Sequence, residues 1–318
     1  MVSSRSIAAW GPGLVFLAAV LWATDAPFRA HLTEGLSSNF IVFAEHFFDC
    51  LIAVPILIWN WSDIKKLSRR EWLAVGVIAI GGSALASVAF TQAFHYVNPS
   101  VAILLQKVQP LIAIVLAGVF LGERMHKNFW VWASVAIAGA YLISFPQLVP
   151  QLYAGEAFNP NMTGVLLALT AAVLWGASTV LGKFVLRTAA FQTLTALRFV
   201  LAFVFLGFLN VIEHTFPVWG NVTAVDWLFL AVIALASGVF SLFLYYYGLQ
   251  FTKASIATIA ELGFPLAAVV INAYFIAGMA QAGTSFGLYA GQWVGTMILL
   301  LALYMLSRVN TEDSPKTL

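Results

Sequence analysis

Ten long apolar runs, separated by short polar stretches, occupy most of the chain: 13–31, 39–60, 72–96, 100–121, 128–147, 163–186, 191–213, 226–250, 255–277 and 286–307. Each holds the roughly 20 apolar residues that a helix needs to cross a bilayer. The pattern therefore predicts an all-α membrane protein with ten transmembrane helices. It is also written twice. Ala18-Ala19-Val20-Leu21-Trp22-Ala23 recurs as Ala171-Ala172-Val173-Leu174-Trp175-Gly176, and Glu71-Trp72-Leu73 recurs as Asp226-Trp227-Leu228. Ser100-Val101-Ala102, leading on to Pro110, recurs as Ser255-Ile256-Ala257, leading on to Pro265. The offset is 153 at the first match and 155 at the other two, so five runs fall in each half. An odd number of spans per half sends the second copy into the membrane from the opposite side, which predicts two inverted-topology repeats.

The cations test that orientation. With the N-terminus in the cytoplasm, Arg5, Lys65, Lys66, Arg69, Arg70, Arg124, Lys127, Lys183, Arg187, Lys253, Arg308 and Lys316 all face inward, twelve of the fifteen Lys and Arg. The 146–162, 214–225 and 278–285 loops carry none, as the positive-inside rule requires of outer loops. Both termini are thus expected in the cytoplasm. Composition agrees: 62% of residues are hydrophobic and 9% charged, with a mean hydropathy of +0.93. Soluble domains are about 25% charged, so lipid must cover most of this surface. A net charge of +2 gives no reason to expect a nucleic-acid partner, and the single cysteine, Cys50, excludes an intrachain disulfide framework.

Two five-span halves, with Trp22 and Trp175 in their first helices and Pro110 and Pro265 in their fourth, resemble the EamA family of the drug/metabolite transporter superfamily. Leu121-Gly122-Glu123-Arg124 at the end of span four and Arg198-Phe199 in span seven match the same pattern, and the resemblance covers roughly residues 13–307. Trp22-Ala23-Thr24 and Glu34-Gly35-Leu36 are similar to the YddG-like branch of bacterial amino-acid exporters. The second half departs from the pattern, with Ala277-Gly278-Met279 where the first has Gly122-Glu123-Arg124. The resemblance implies a central cavity between the halves and export of small metabolites such as amino acids.

Charges inside spans are expensive and must face the protein interior, pair, or lie near an interface. Asp25, Glu45, Asp49, Lys107, Arg198 and Glu261 are such charges. The repeat aligns Glu45 with Arg198 and Gln106-Lys107 with Glu261-Leu262, which suggests two structural ion pairs, Glu45–Lys107 and Arg198–Glu261, with polarity exchanged. The competing reading gives one member of each pair to a solute or a proton. Asp25 shares a helix face with Trp22 and is expected to pair with Arg29 at the outer mouth. Asp49 and Glu45, one turn apart, repel unless one is protonated, which makes them a proton-coupling candidate. Tyr245, aligned with Phe90, is expected to line the cavity, with the other residues of Tyr245-Tyr246-Tyr247 mostly at the membrane interface. Pro110 and Pro265 free the carbonyls of Gln106 and Glu261 and are hinge candidates. Gly287, Gly291 and Gly295 form a small-residue ladder, suited to a contact with span five or to a dimer face.

The expected domains are a cytoplasmic N-terminus at 1–12, repeats at 13–147 and 163–307, an outer linker at 148–162, and a cytoplasmic tail at 308–318. The expected function is a secondary transporter in the bacterial inner membrane that exports small metabolites, foremost amino acids with aromatic or hydrophobic side chains. Carriers of sugar phosphates or drugs are the alternative, and a membrane-embedded enzyme a more distant one, because His31, His46, His95, His126 and His214 are scattered and no catalytic motif stands out. The substrate-binding candidates are Trp22, Asp25, Phe90, Lys107, Gln109, Pro110, Trp175, Ser178, Tyr245 and Glu261. No cofactor or metal is called for. The partners are a small-molecule substrate and the bilayer, with protons as a candidate coupling ion and a monomer or homodimer as the assembly.

Overall fold

A computed structural model describes residues 4–97, 99–125, 127–144, 162–264, 266–268, 271 and 290–312. Pro265, Gly287, Ala277-Gly278-Met279, His126 and most of the 148–162 linker lie outside them. The described residues are helical, without strands. They form α1 (Ser4–Trp22), α2 (Ala26–Leu32), α3 (Ser38–Trp59), α4 (Arg69–Ala93), α5 (Pro99–Gln106), α6 (Gln109–Leu121), α7 (Lys127–Ser144), α8 (Met162–Val185), α9 (Phe191–Ile212), α10 (Ala224–Gln250), α11 (Ala254–Ala260) and α12 (Ala290–Glu312). Among the described residues, six spans are long and apolar enough to cross a membrane: α1 with α2 from Trp10 to Leu32, then α3, α4, α8, α9 and α10. Gln109–Leu121 and Trp293–Leu306 are shorter apolar helices.

The recurring Glu71-Trp72-Leu73 and Asp226-Trp227-Leu228 have a structural cause. Ser68 and Glu71 close a capping box at the start of α4, and Thr223 and Asp226 close the equivalent box at the start of α10. In each box the hydroxyl and the carboxylate satisfy orphan N–H groups of the first turn. At the other end of the first half, Gly122 takes the left-handed conformation (φ 67°) that stops α6. The next residue, Glu123, then accepts hydrogen bonds from the backbone N–H of Ala254 at 2.7 Å and Ser255 at 3.0 Å, and from the Ser255 hydroxyl. A carboxylate of the first half thus caps the first turn of α11 in the second. Glu123→Ala is expected to cost about 2 kcal/mol, the scale of a charged cap. The check is a lowered midpoint of thermal denaturation in detergent, with Glu123→Gln falling between Ala and wild type.

Packing joins helices across the halves. α12 runs along α7, α9 along α3, α1 along the Ser241–Gln250 end of α10, and α8 along the Ala86–Ala93 end of α4. The first helix of each half therefore lies on the third helix of the other. Gly295 on α12 meets α7 with its backbone: a Cβ built there would fall 2.7 Å from the Gly139 carbonyl oxygen. This member of the glycine ladder serves a contact with the fifth span. Large apolar side chains such as Ile58, Val119 and Met297 point outward and are exposed, as a lipid-facing surface requires.

Three spans are broken rather than straight. The first breaks at Ala23–Asp25, before Pro27 restarts it as α2. The fourth breaks at Lys107–Val108, ahead of Pro110 in the first turn of α6. The ninth has a turn at Glu261–Leu262 after α11. The sequence pattern reads the first span as continuous from 13 to 31, and its break is a correction with consequences for Arg29. The equivalent stretch of α8 runs unbroken through Ser178.

Candidate functional site

The breaks converge on one cavity between the halves, with about 1230 Å³ of empty space measured out to its open side. Trp22, Asp25, Phe90, Lys107, Gln109, Pro110, Trp175, Ser178, Tyr245 and Glu261 all border it. Breaks in three spans place Asp25, Lys107 and Glu261 where the backbone is freest to depart from a helix, and irregular backbone at membrane depth is tolerated where it lines such a cavity.

Its apolar walls obey the repeat. Trp22 and Tyr245 stand with ring centroids 5.1 Å apart and planes inclined at 47°. Phe90 and Trp175 stand 5.2 Å apart at 62°. These are the same pair twice, because Trp22 aligns with Trp175 and Phe90 with Tyr245. Each joins the first helix of one half to the third helix of the other.

The polar wall departs from the expected ion pairs. Glu45 does not reach Lys107. It pairs with Arg29 at 2.9 Å, and Arg29 also holds Asp25 at 2.9 Å. The Arg29 guanidinium further donates to Thr91 Oγ1 at 2.9 Å. The expected Asp25–Arg29 contact forms, but Arg29 is 5% exposed and bridges three helices instead of sitting at the mouth. The break at Ala23–Asp25 is the cause, since it puts Arg29 on a separate short helix. Arg198 likewise does not pair with Glu261. It donates to Ser83, to Tyr246 Oη at 2.9 Å and to the Gly82 carbonyl at 3.3 Å. Tyr246 is consequently buried rather than interfacial.

Glu261 is held by neutral donors. Gln109 Nε2 donates to it at 2.5 Å and Tyr245 Oη at 2.9 Å, with Thr179 Oγ1 at 3.5 Å. Lys107 has no carboxylate within ion-pair distance among the described residues. Its ammonium lies 4.7 Å from the centre of the Phe264 ring, a cation–π contact. Gln106 Oε1, Ser178 Oγ and His46 Nε2 are buried and have no hydrogen-bond partner among the described residues. Buried polar atoms are normally satisfied, and these three are not.

Two wall segments are π-helical, Ile78–Leu85 in α4 and Ile233–Phe240 in α10. Such wide turns recur at functional sites because they disturb the regular hydrogen-bond ladder. Here they present the Gly82 carbonyl and Ser83 to Arg198, and Ser237 and Gly238 to the cavity. The paired small residues Gly81-Gly82 and Ser237-Gly238 are the sequence signal, and Pro27 is the signal for the first break. The described residues contain no group of three or more His, Cys, Asp or Glu placed to hold a metal ion.

Comparison with known proteins gives the same picture. The model of the EamA-like transporter family matches twice, over residues 9–145 and 162–308. The chain is 30% identical over 305 residues to the riboflavin transporter ImpX of Fusobacterium nucleatum, covering 94% of this chain and 98% of that protein. It is 26% identical over 137 residues to the uncharacterized inner membrane transporter YedA of Escherichia coli K12, covering 42% of this chain and 44% of that protein. A solved structure described as "Crystal structure of protein" superposes with a TM-score of 0.71 at 13% identity, covering 95% of this chain and 98% of the other. That likeness bears on the fold alone. With two family matches that together span most of its length, the chain belongs to the EamA-like transporter family and is an integral, multi-pass transporter of the inner membrane.

Proposed function

We propose that this protein carries an aromatic heterocyclic solute of the riboflavin class across the membrane through the central cavity, by alternating access. The observation that carries the proposal is the twin aromatic wall, Trp22–Tyr245 and Phe90–Trp175, facing amide, hydroxyl and ammonium groups. A flat ring system stacks between such walls, while Gln106, Gln109 and Ser178 meet the carbonyl and N–H groups at its edge. The ribityl hydroxyls find partners in the remaining polar groups. The transport function named for ImpX points the same way.

The frame is ten spans in two inverted repeats, 13–147 and 163–307, with a linker at 148–162 and short terminal segments 1–12 and 308–318 in the cytoplasm. The exchange of helices one and three between halves and the one-sided cation map support it. Pro110 and Pro265 act as hinges when the halves rock. A second reading is export of aromatic or hydrophobic amino acids. It is favoured by Lys107 and Glu261 on one cavity wall, which could take a carboxylate and an ammonium. Sugar phosphates fit less well, because Arg29 and Arg198 are already engaged and Lys107 is left as the one uncommitted cation among these.

The test is counterflow in liposomes holding the purified protein, with labelled riboflavin and labelled tryptophan in parallel. Saturable riboflavin counterflow that excess unlabelled tryptophan does not inhibit is expected. Trp22→Ala is expected to raise the half-saturating concentration about tenfold, as loss of one stacking partner worth about 1–3 kcal/mol implies. Gln109→Ala is expected to weaken binding comparably. Tryptophan counterflow without riboflavin counterflow sinks the flavin reading in favour of the amino-acid one.

A further inference from the structure

One carboxyl on the cavity wall has no task in solute binding. Asp49 lies on α3, is 2% exposed, and borders the cavity one turn beyond Glu45. Glu45 ends on Arg29, but Asp49 ends on nothing comparable. Among the described residues no Lys, Arg or His nitrogen lies within 4.0 Å of it, and its Oδ1 has no hydrogen-bond partner. The backbone of α10 presses on it: a Cβ built at Gly238 would fall 2.5 Å from Oδ1.

The charged neighbours do not change this. On its own helix are Glu45, His46 and Cys50, and the His46 Nδ1 is bound to the Val42 carbonyl at 2.8 Å. From α9 comes Arg198, whose donors are committed to Ser83, Gly82 and Tyr246. From α2 comes Arg29, already shared by two carboxylates. From α10 the near wall is Ser237 and Gly238, with no ionisable side chain between Ile233 and Phe240. An ionised Asp49 would be a third carboxylate beside Asp25 and Glu45, desolvated and without a donor of its own, since Arg29 is shared by those two and Arg198 is committed to Ser83, Gly82 and Tyr246. The neutral acid suffers neither penalty. The repeat places Ala202 at the equivalent position of the second half, so the feature belongs to one side of the cavity alone.

We infer that Asp49 is a proton-binding site that couples solute movement to proton movement. The carboxylate takes a proton from water when the cavity opens to one side, holds it as a carboxylic acid while the wall against α10 is closed, and returns it to water on the other side. One O–H bond forms and the same bond breaks, and nothing else is exchanged. The inference rests on the cavity being the solute path.

Three measurements on the purified full-length protein test it. In liposomes, wild type is expected to exchange riboflavin without a gradient and to accumulate it under an imposed pH gradient, up to about tenfold per pH unit for one coupled proton. Asp49→Asn is expected to keep the exchange and lose the accumulation. Accumulation by Asp49→Asn equal to wild type, or a wild type that exchanges riboflavin yet ignores the gradient, overturns the inference. The third measurement needs no solute: infrared difference spectra across a pH titration are expected to show a carboxylic-acid band in wild type that is missing in Asp49→Asn. Its absence from wild type also overturns the inference. If riboflavin exchange fails while the band titrates, the flavin reading falls and the proton site stands. Should Asp49→Asn not fold, Gly238→Ala, which crowds Oδ1, must shift the pH midpoint of the band, and an unmoved midpoint counts against Asp49.

Discussion

Arg29→Met is expected to destabilise the protein more than any other single substitution of a cavity charge. The guanidinium neutralises Asp25 and Glu45 together and is held to Thr91, all in surroundings nearly closed to water. Removing one partner from a buried ionic group leaves uncompensated charge and costs about 3–5 kcal/mol. Here two carboxylates are abandoned at once. The expected result is a large fall in detergent thermal stability and in membrane yield. Combining Arg29→Met with Asp25→Asn and Glu45→Gln should recover most of the loss, because neutral amides can be buried where bare carboxylates cannot. Lys107→Met is the comparison: it has no carboxylate partner among the described residues, so a loss as large as that of Arg29→Met would contradict the assignment of the pairs.

Gly295→Leu is the second. A Cβ at this position would meet the Gly139 carbonyl oxygen at 2.7 Å, Leu142 Cβ at 2.8 Å and the Ile143 nitrogen at 3.0 Å. Two of the three are backbone atoms of α7, which cannot swing aside as a side chain would. The helices must separate, and with them goes the close packing that holds helices together where no hydrophobic force acts between them. Overpacking of this kind costs about 3 kcal/mol, at the upper end of the usual range. Gly76→Ala is the internal control, since a Cβ there meets nothing within 4 Å. It should be neutral or stabilise by up to about 1 kcal/mol, as alanine is the better helix former. Equal thermal shifts for the two variants would mean that the α7–α12 contact is not a tight one.

Six of the spans were legible because the bilayer imposes length and apolarity on any helix that crosses it. The cavity wall was legible for a different reason. A duplicated chain keeps its equivalent positions near one offset, here 153 or 155, and that offset matched Trp22 with Trp175 and Phe90 with Tyr245. What the offset cannot say is which residues touch. Equivalence under the repeat is a relation between halves, whereas the aromatic contacts run from the first helix of one half to the third of the other. The exchanged polarity of the aligned charges suggested an acid–base pair within each half, Glu45–Lys107 and Arg198–Glu261, and neither forms. Arg29 was misplaced because the first span was taken as one rod; Pro27, in the first turn of α2, was the overlooked sign that it is two. The π-helical segments leave only the small-residue pairs Gly81-Gly82 and Ser237-Gly238 as a trace, since hydrophobicity periods do not distinguish a single widened turn from a regular one.

Those segments obey the repeat. Ile78–Leu85 and Ile233–Phe240 begin and end 155 residues apart, the offset of the repeat itself. An irregularity shared at one register is a property of the repeat unit rather than of either half. The groups around it do not match: Arg198 faces one segment and Asp49 the other, and their counterparts are Glu45 and Ala202. The turns and the aromatic pairs thus keep the repeat, while the charged groups facing the turns differ between the halves. A lineage with such a scaffold can acquire a new cargo by changing side chains around a fixed pair of turns, without inventing a new path through the membrane.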